Sequence, residues 1–255
     1  MRCGVFDSGI GGLTVAAELL RAGLFEEIIY YGDTARVPYG NKNESTIIRY
    51  GLEGLEFLKN FDIDFMVVGC NSVSAIALPE LQKEAPFPVV GVIEAGVEGI
   101  KHFSRNSQIL LIGTKATIGS GAYQTRLSQL GFEKVVARPT PLFVPLVEEG
   151  IWEGRLVEEC FNLYFSDLKR EEVEVVVLGC THYPFLIPSL SRYFPNARFI
   201  HSGREIVSLL KKRFQLTGGK KSRMEIFASD NVGEVRRIAR HWLAHLATLS
   251  DGARG

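Results

Sequence analysis

Two stretches of the chain carry the same pattern, DFMVVGCNSVSA at 64–75 and VEVVVLGCTHYP at 173–184. Each is an apolar run that ends in Gly-Cys and continues into small polar residues. A Val/Leu-rich run of this kind reads as a strand buried on both faces, as a parallel sheet covered by helices requires. The pattern predicts that Cys70 and Cys180 stand at the carboxyl ends of two such strands, where open α/β sheets place their ligands. Each thiol would then face the amino end of the next helix, whose partial positive charge favours the thiolate. Two thiols in equivalent positions imply paired roles.

The remaining pattern supports that architecture. Strands are predicted at 2–6, 26–33, 64–70, 88–94, 108–114, 134–141, 173–180, 197–203 and 224–230. Helices are predicted at 13–23, 43–60, 72–84, 115–131, 153–169, from Pro184 onward, at 204–214 and at 231–248. The segments 34–41 and 142–150 read as irregular loops, the second carrying Glu148 and Glu149, and the tail SDGARG is expected to fray. Apolar positions at helical spacing in 43–60 (Ile47, Ile48, Leu52, Leu55 and Leu58) read as core packing. Strand and helix alternate throughout, which predicts two similar doubly wound α/β units facing each other across a cleft. The first is expected to comprise 1–94 with 208–255, and the second, inserted into it, 95–207.

Composition removes several function classes. Lys+Arg and Asp+Glu each number 29, so no overall field draws the chain to nucleic acid or an anionic membrane. The clusters KKR at 211–213 and KKSR at 220–223 read as solvated helix end and loop. No apolar run approaches the roughly 18 residues of a membrane span, and Met1-Arg2 leads straight into a strand, so a cytoplasmic protein is expected. The four cysteines form no CxxC pair; Cys3 and Cys160 read as buried, inert residues.

The first turn, Asp7-Ser8 followed by Gly9, Gly11 and Gly12, departs from a dinucleotide fingerprint because Thr14 occupies the third glycine position. Asp7 is either a cap for the helix behind it or, with Ser8, a group pointing into the cleft. Asn71, Ser72, Thr181 and His182 flank the two thiols and read either as turn and cap residues or as substrate contacts. Three chemistries fit this inventory. Cys70, Cys180 and His182 could ligate a metal, although zinc sites usually have closer ligand pairs. Cys180 and His182 could form a nucleophile and base. Neither explains the second, equivalent cysteine, whereas two-base proton transfer at a carbon does. A thiol titrates near pH 8.5, so one cysteine can serve as base while the other serves as acid.

The motifs GVFDSGIGGLTV, YYGDTARVPYG, GCNSVSA, GTKATI, FVPLVEEG and LGCTHYP, in this order, resemble those of the glutamate racemases, from about residue 4 to 230. The resemblance implies a cofactor-independent and metal-independent enzyme that interconverts L- and D-glutamate and supplies D-glutamate for peptidoglycan. It implies proton transfer by Cys70 and Cys180, assisted by Asp7 and His182, with Cys70 serving the D-substrate and Cys180 the L-substrate. Substrate contacts carry over to Asp7, Ser8, Tyr39, Gly40, Asn71, Ser72, Thr181 and His182, with Thr114, Thr117 and Glu148 lining the pocket. Homodimers are usual in that family. One departure is visible: the family most often has CNTASA where this chain has CNSVSA, so Ser72 keeps the hydroxyl without the methyl and Val73 adds bulk. A racemase for aspartate and a non-enzymatic binding protein for acidic amino acids are the competing readings.

Overall fold

The computed structural model describes the backbone of residues 1–252 and side chains through Leu246. Of the SDGARG tail expected to fray, residues 250–252 continue the last helix, and the expectation for the final three residues lies outside the described residues.

Two parallel sheets organise the chain. The first contains β1 (Arg2–Asp7), β2 (Glu27–Gly32), β3 (Phe65–Val68), β4 (Val89–Gly91) and β9 (Arg223–Ala228), in the order β4-β3-β1-β2-β9. The second contains β5 (Ile109–Gly113), β6 (Val135–Pro139), β7 (Val175–Gly179) and β8 (Arg198–His201), in the order β6-β5-β7-β8. Every pairing is parallel. The unbroken apolar runs are the central strands: all residues of β3 and β7 are buried. Strand order reverses between β1 and β3 in one sheet and between β5 and β7 in the other. The carboxyl ends at such a reversal splay apart and leave a crevice for a ligand. Asp7, Cys70, Thr114 and Cys180 stand at or just beyond those strand ends.

The helices are α1 (Leu13–Ala22), α2 (Glu44–Lys59), α3 (Asn71–Ile76), α4 (Leu78–Glu84), α5 (Val92–Ile100), α6 (Lys115–Gly119), α7 (Ala122–Gln129), α8 (Phe143–Glu148), α9 (Arg155–Phe165), α10 (Ile187–Tyr193), α11 (Ser202–Phe214) and α12 (Val232–Gly252). In α2 the Asn43 side chain caps the first turn by accepting from the Thr46 N–H at 2.9 Å. Its inner face is Ile47, Gly51, Gly54, Leu55 and Leu58, while Ile48 and Leu52 of the expected stripe are only half-buried. The two sheets share one apolar core, in which Val5, Leu13 and Val67 around the first sheet join Leu110, Val176 and Leu178 of the second. α11 packs on both α5 and α1, closing that junction.

Several predicted boundaries differ. The expected helix 72–84 is two helices, because Pro79 in the first turn of α4 supplies no N–H to bond back into α3. The expected helix 115–131 breaks at Gly121, whose φ of 69° is left-handed. The strand expected to run to Glu94 stops at Gly91, and Val92 begins α5. The segment 142–150, expected as a loop, folds as α8, which carries Glu148 on its last residue. A helix from Pro184 begins instead as a 3-10 turn, Tyr183–Leu186, before α10. Two further 3-10 turns, Thr34–Arg36 and Tyr39–Asn41, shape the loop between β2 and α2. Cys3 and Cys160 are buried in the shared core with free thiols. Among the described residues, no helix is long and apolar enough to cross a membrane.

Candidate active site

Cys70 and Cys180 open into one narrow cavity between the two sheets, with about 20 Å³ of space open to water-sized molecules. Ser8, Val37, Pro38, Tyr39, Gly40, Asn71, Ser72, Thr114, Val144, Thr181 and His182 complete its lining. That is room for about one water molecule, so the cleft is closed tightly around the two thiols. Of the residues expected at the site, Asp7, Thr117 and Glu148 stand behind this lining and act on residues within it.

The two thiols have different neighbours. The Cys70 thiol donates to Ser8 Oγ at 3.3 Å, and burial, reinforced by the Asp7 carboxylate, pushes it up to about 12. The expectation that a helix amino end would favour the Cys70 thiolate is therefore corrected: α3 is only six residues long, and burial outweighs its dipole. Cys180 is followed by a 3-10 turn rather than a helix, and its partner is an imidazole, with Sγ 3.8 Å from His182 Nδ1. His182 Nε2 lies 3.0 Å from Glu148 Oε1. Burial alone would lower the imidazole, but its bonds to Cys180 and Glu148 outweigh burial and raise it to about 10. With Cys180 as a thiolate, the His182 imidazolium is favoured, held between that sulfur and the Glu148 carboxylate.

Asp7 is fully buried. Its Oδ2 accepts from the Gly9 N–H at 2.9 Å, and its Oδ1 has no partner among the described residues. It does not cap α1, whose first turn has no side-chain cap. Burial raises its carboxyl, and the charge of His182 partly opposes that.

The opposite wall supplies hydroxyls and an amide. Ser72 Oγ lies 2.9 Å from Thr114 Oγ1 and 3.4 Å from Thr117 Oγ1, and the two threonine hydroxyls are 3.0 Å apart. The departure at 72–73 leaves this cluster intact: Val73 is fully buried in the core behind α2 and faces away from the cavity. Asn71 Oδ1 accepts from the Tyr123 hydroxyl at 2.8 Å, leaving its buried Nδ2 unpartnered. Among the described lining residues, His182 is the only side chain able to carry positive charge. An anion here must rely on that imidazolium and on neutral donors.

Tyr39 lines the cavity, but its hydroxyl is tied back to the buried Asp33 carboxylate, which also takes a 2.6 Å bond from Arg36 Nε. This clamp fixes the loop that brings Pro38, Tyr39 and Gly40 to the cavity. Val37, Pro38 and Val144 form apolar walls that the sequence reading did not single out, although they lie inside the quoted motifs. Tyr123 gave no local signal, because it reaches Asn71 from 52 residues away. The alternative of a metal held by Cys70, Cys180 and His182 lacks its geometry: among the described residues, no three His, Cys, Asp or Glu side chains group as ligands.

Residues 15–210 match the family model described as Asp/Glu/Hydantoin racemase. The chain belongs to this racemase family. A glutamate racemase of a Nitratiruptor species is 52% identical over 247 residues, covering 95% of this chain and 96% of that protein. The crystal structure of the glutamate racemase from Campylobacter jejuni subsp. jejuni superposes with a TM-score of 0.93 at 47% identity, over 96% of this chain and 98% of that one. The glutamate racemase from Francisella tularensis subsp. tularensis, solved in complex with D-glutamate, gives a TM-score of 0.84 at 32% identity, over 95% and 93% of the two chains.

Proposed function

We propose that this protein is a glutamate racemase working by two-base proton transfer between Cys70 and Cys180. The observation that carries the reading is a pair of thiols at equivalent strand ends of two similar sheets, both opening into one small cavity. A thiolate on one side takes the α-proton, the C–H electron pair stays on carbon, and the thiol on the other side delivers its own proton to the opposite face. Each turnover inverts the stereocentre and exchanges the protonation of the two sulfurs. His182, backed by Glu148, stabilises negative charge on Cys180. Ser8 and Asp7 set the state of Cys70. The Asn71 amide and the Ser72–Thr114–Thr117 hydroxyls face the substrate carboxylates, and Thr181, Tyr39 and Gly40 complete the fit.

Glutamate rather than aspartate is supported by the names of the relatives that span almost the whole chain. Incubation with either enantiomer of glutamate, followed by optical rotation, should reach the racemate, and heavy water should place deuterium at the α-carbon. Comparable rates on aspartate, or none on glutamate, would overturn the assignment. A binding protein would retain both the rotation and the α-proton. We further propose that the enzyme needs no cofactor and no metal and acts in the cytoplasm as a homodimer. Its D-glutamate would serve peptidoglycan synthesis, and its domains would be 1–94 with 208–255, and 95–207. Light scattering on the purified protein tests the dimer.

The pH dependence follows from the paired states. The active form carries one thiolate and one thiol, so kcat/KM should fall at low pH, where the thiolate is protonated. It should fall again at high pH, as His182 loses its proton near 10 and Cys70 ceases to be a thiol near 12. The equilibrium constant of racemisation is unity, so kcat/KM for L- and D-glutamate must coincide at every pH. The unlike surroundings of the two thiols can appear only in kcat and KM separately. A kcat/KM that rises monotonically beyond about pH 10, well past the free thiol range, would count against the mixed-protonation requirement.

A further inference from the structure

Asn71 is the first residue of α3, in the first unit, and Tyr123 belongs to α7, in the second. The Tyr123 side chain is fully buried, and its hydroxyl donates to Asn71 Oδ1 at 2.8 Å. Ser202, at the start of α11, lies beside the same hydroxyl. A side-chain amide can be turned over, exchanging its acceptor and donor ends, unless a neighbour fixes it. Here the neighbour does so. The phenolic proton has Asn71 Oδ1 as its acceptor, and turning the amide over would force that proton to find another acceptor before the phenol oxygen could accept from Nδ2. Turning it over would also aim a carbonyl oxygen at the place where a carboxylate binds. With Oδ1 held by Tyr123, the Nδ2 group is buried without a protein partner beside the cavity, 2% of Asn71 being exposed. A buried donor left unmatched is costly, and a ligand acceptor relieves it.

We infer that Tyr123 is a positioning residue for substrate binding: its hydroxyl, from the second unit, locks the Asn71 amide with Nδ2 turned toward a substrate carboxylate. Tyr123 touches no substrate and moves no proton. It makes the recognition surface of the first unit depend on the placement of the second, so the donor is correctly aimed only when the two units are closed on each other. The inference rests on the racemase reading for the identity of the substrate, but the carboxylate it requires is common to every acidic amino acid.

The test is Tyr123→Phe, which removes one oxygen and keeps the ring in the core around Ile93, Leu111 and Val177. KM should rise about tenfold for both enantiomers, the scale of one lost hydrogen bond to a charged group, with kcat changed far less. The pH profile should not move. Calorimetric affinity for glutamate should weaken by the same factor, a readout that needs no turnover. In an Asn71→Ala background the same change should add nothing, because Tyr123 acts through the amide that is then missing. A lower melting temperature with unchanged KM and affinity would overturn the inference, as would an effect of full size in the Asn71→Ala background. Failure of the wild-type protein to racemise glutamate would overturn the racemase reading instead. Calorimetry on the same variants would then still decide the role of Tyr123.

Discussion

Cys70→Ser and Cys180→Ser are each expected to lose several orders of magnitude in racemisation while keeping half of the chemistry. A serine hydroxyl is far harder to deprotonate near neutral pH than a thiol, so each variant lacks a working base on one face of the α-carbon and an efficient acid for the return. Racemisation uses both faces, and both variants fail. Removing the α-proton alone uses only one. A glutamate analogue with a leaving group at the β-carbon can expel that group once the α-proton is gone, with no reprotonation. Each variant should therefore eliminate from one enantiomer and not from the other, with opposite preferences. Family resemblance assigns the D-substrate to Cys70 and the L-substrate to Cys180, so Cys70→Ser should retain elimination from the L-analogue. The surroundings of the two sulfurs add a second expectation. Cys180 keeps the His182–Glu148 pair when Cys70 is replaced, whereas Cys70 has the Ser8 hydroxyl and the Asp7 carboxylate, which disfavours its thiolate, beside it when Cys180 is replaced. Elimination should be faster in the variant that keeps Cys180. Release of the leaving group, followed against enantiomer for each variant, checks both points. If both variants process the same enantiomer equally well, the sulfurs do not flank the carbon and the two-base mechanism falls.

Gly11→Ala should disable the enzyme without unfolding it. A methyl at that position would lie 2.3 Å from Thr181 Oγ1, 2.4 Å from His182 Nδ1 and 2.5 Å from His182 Cε1. All three distances are far inside contact, so the imidazole must leave the position from which it reaches Cys180. The backbone of Gly11 is not left-handed, so alanine brings a steric conflict rather than backbone strain. Misplacing a reacting group by about an ångström typically costs on the order of 100-fold, and a loss of that size in kcat/KM is expected. Overpacking a buried site costs roughly 1–3 kcal/mol, so thermal unfolding should shift only modestly and remain cooperative. The alkaline limb of the pH profile should also move, since His182 would lose the partners that hold it near 10. Wild-type kcat/KM in a well-folded Gly11→Ala protein would show that the His182 contact is dispensable.

Both sheets, their parallel sense and the strand-end positions of Cys70 and Cys180 were legible because the signals are local. An apolar run such as VEVVVLG states its own burial, and the Gly-Cys that ends it states where the strand stops. Local signals were weaker where one residue decides between continuing and breaking an element. Pro79 and Gly121 each split a predicted helix, Val92 turned from strand to helix, and 142–150 became α8 once its apolar face met the shared core. Sequence alone also determined which residues could do the chemistry, since only two of the four thiols follow a buried strand into polar residues. Their surroundings were decided by tertiary structure. The expected thiolate-favouring helix end at Cys70 gave way to burial against Asp7, and Cys180 acquired His182 and, through it, Glu148 from another element. The clamp of Tyr39 by Asp33 and the lock of Asn71 by Tyr123 are of the same kind. A residue's type and its neighbours in the chain specify which bonds it can make. Which of them it does make, and at what cost in desolvation, depends on groups brought together from distant positions only when the two sheets close on one core.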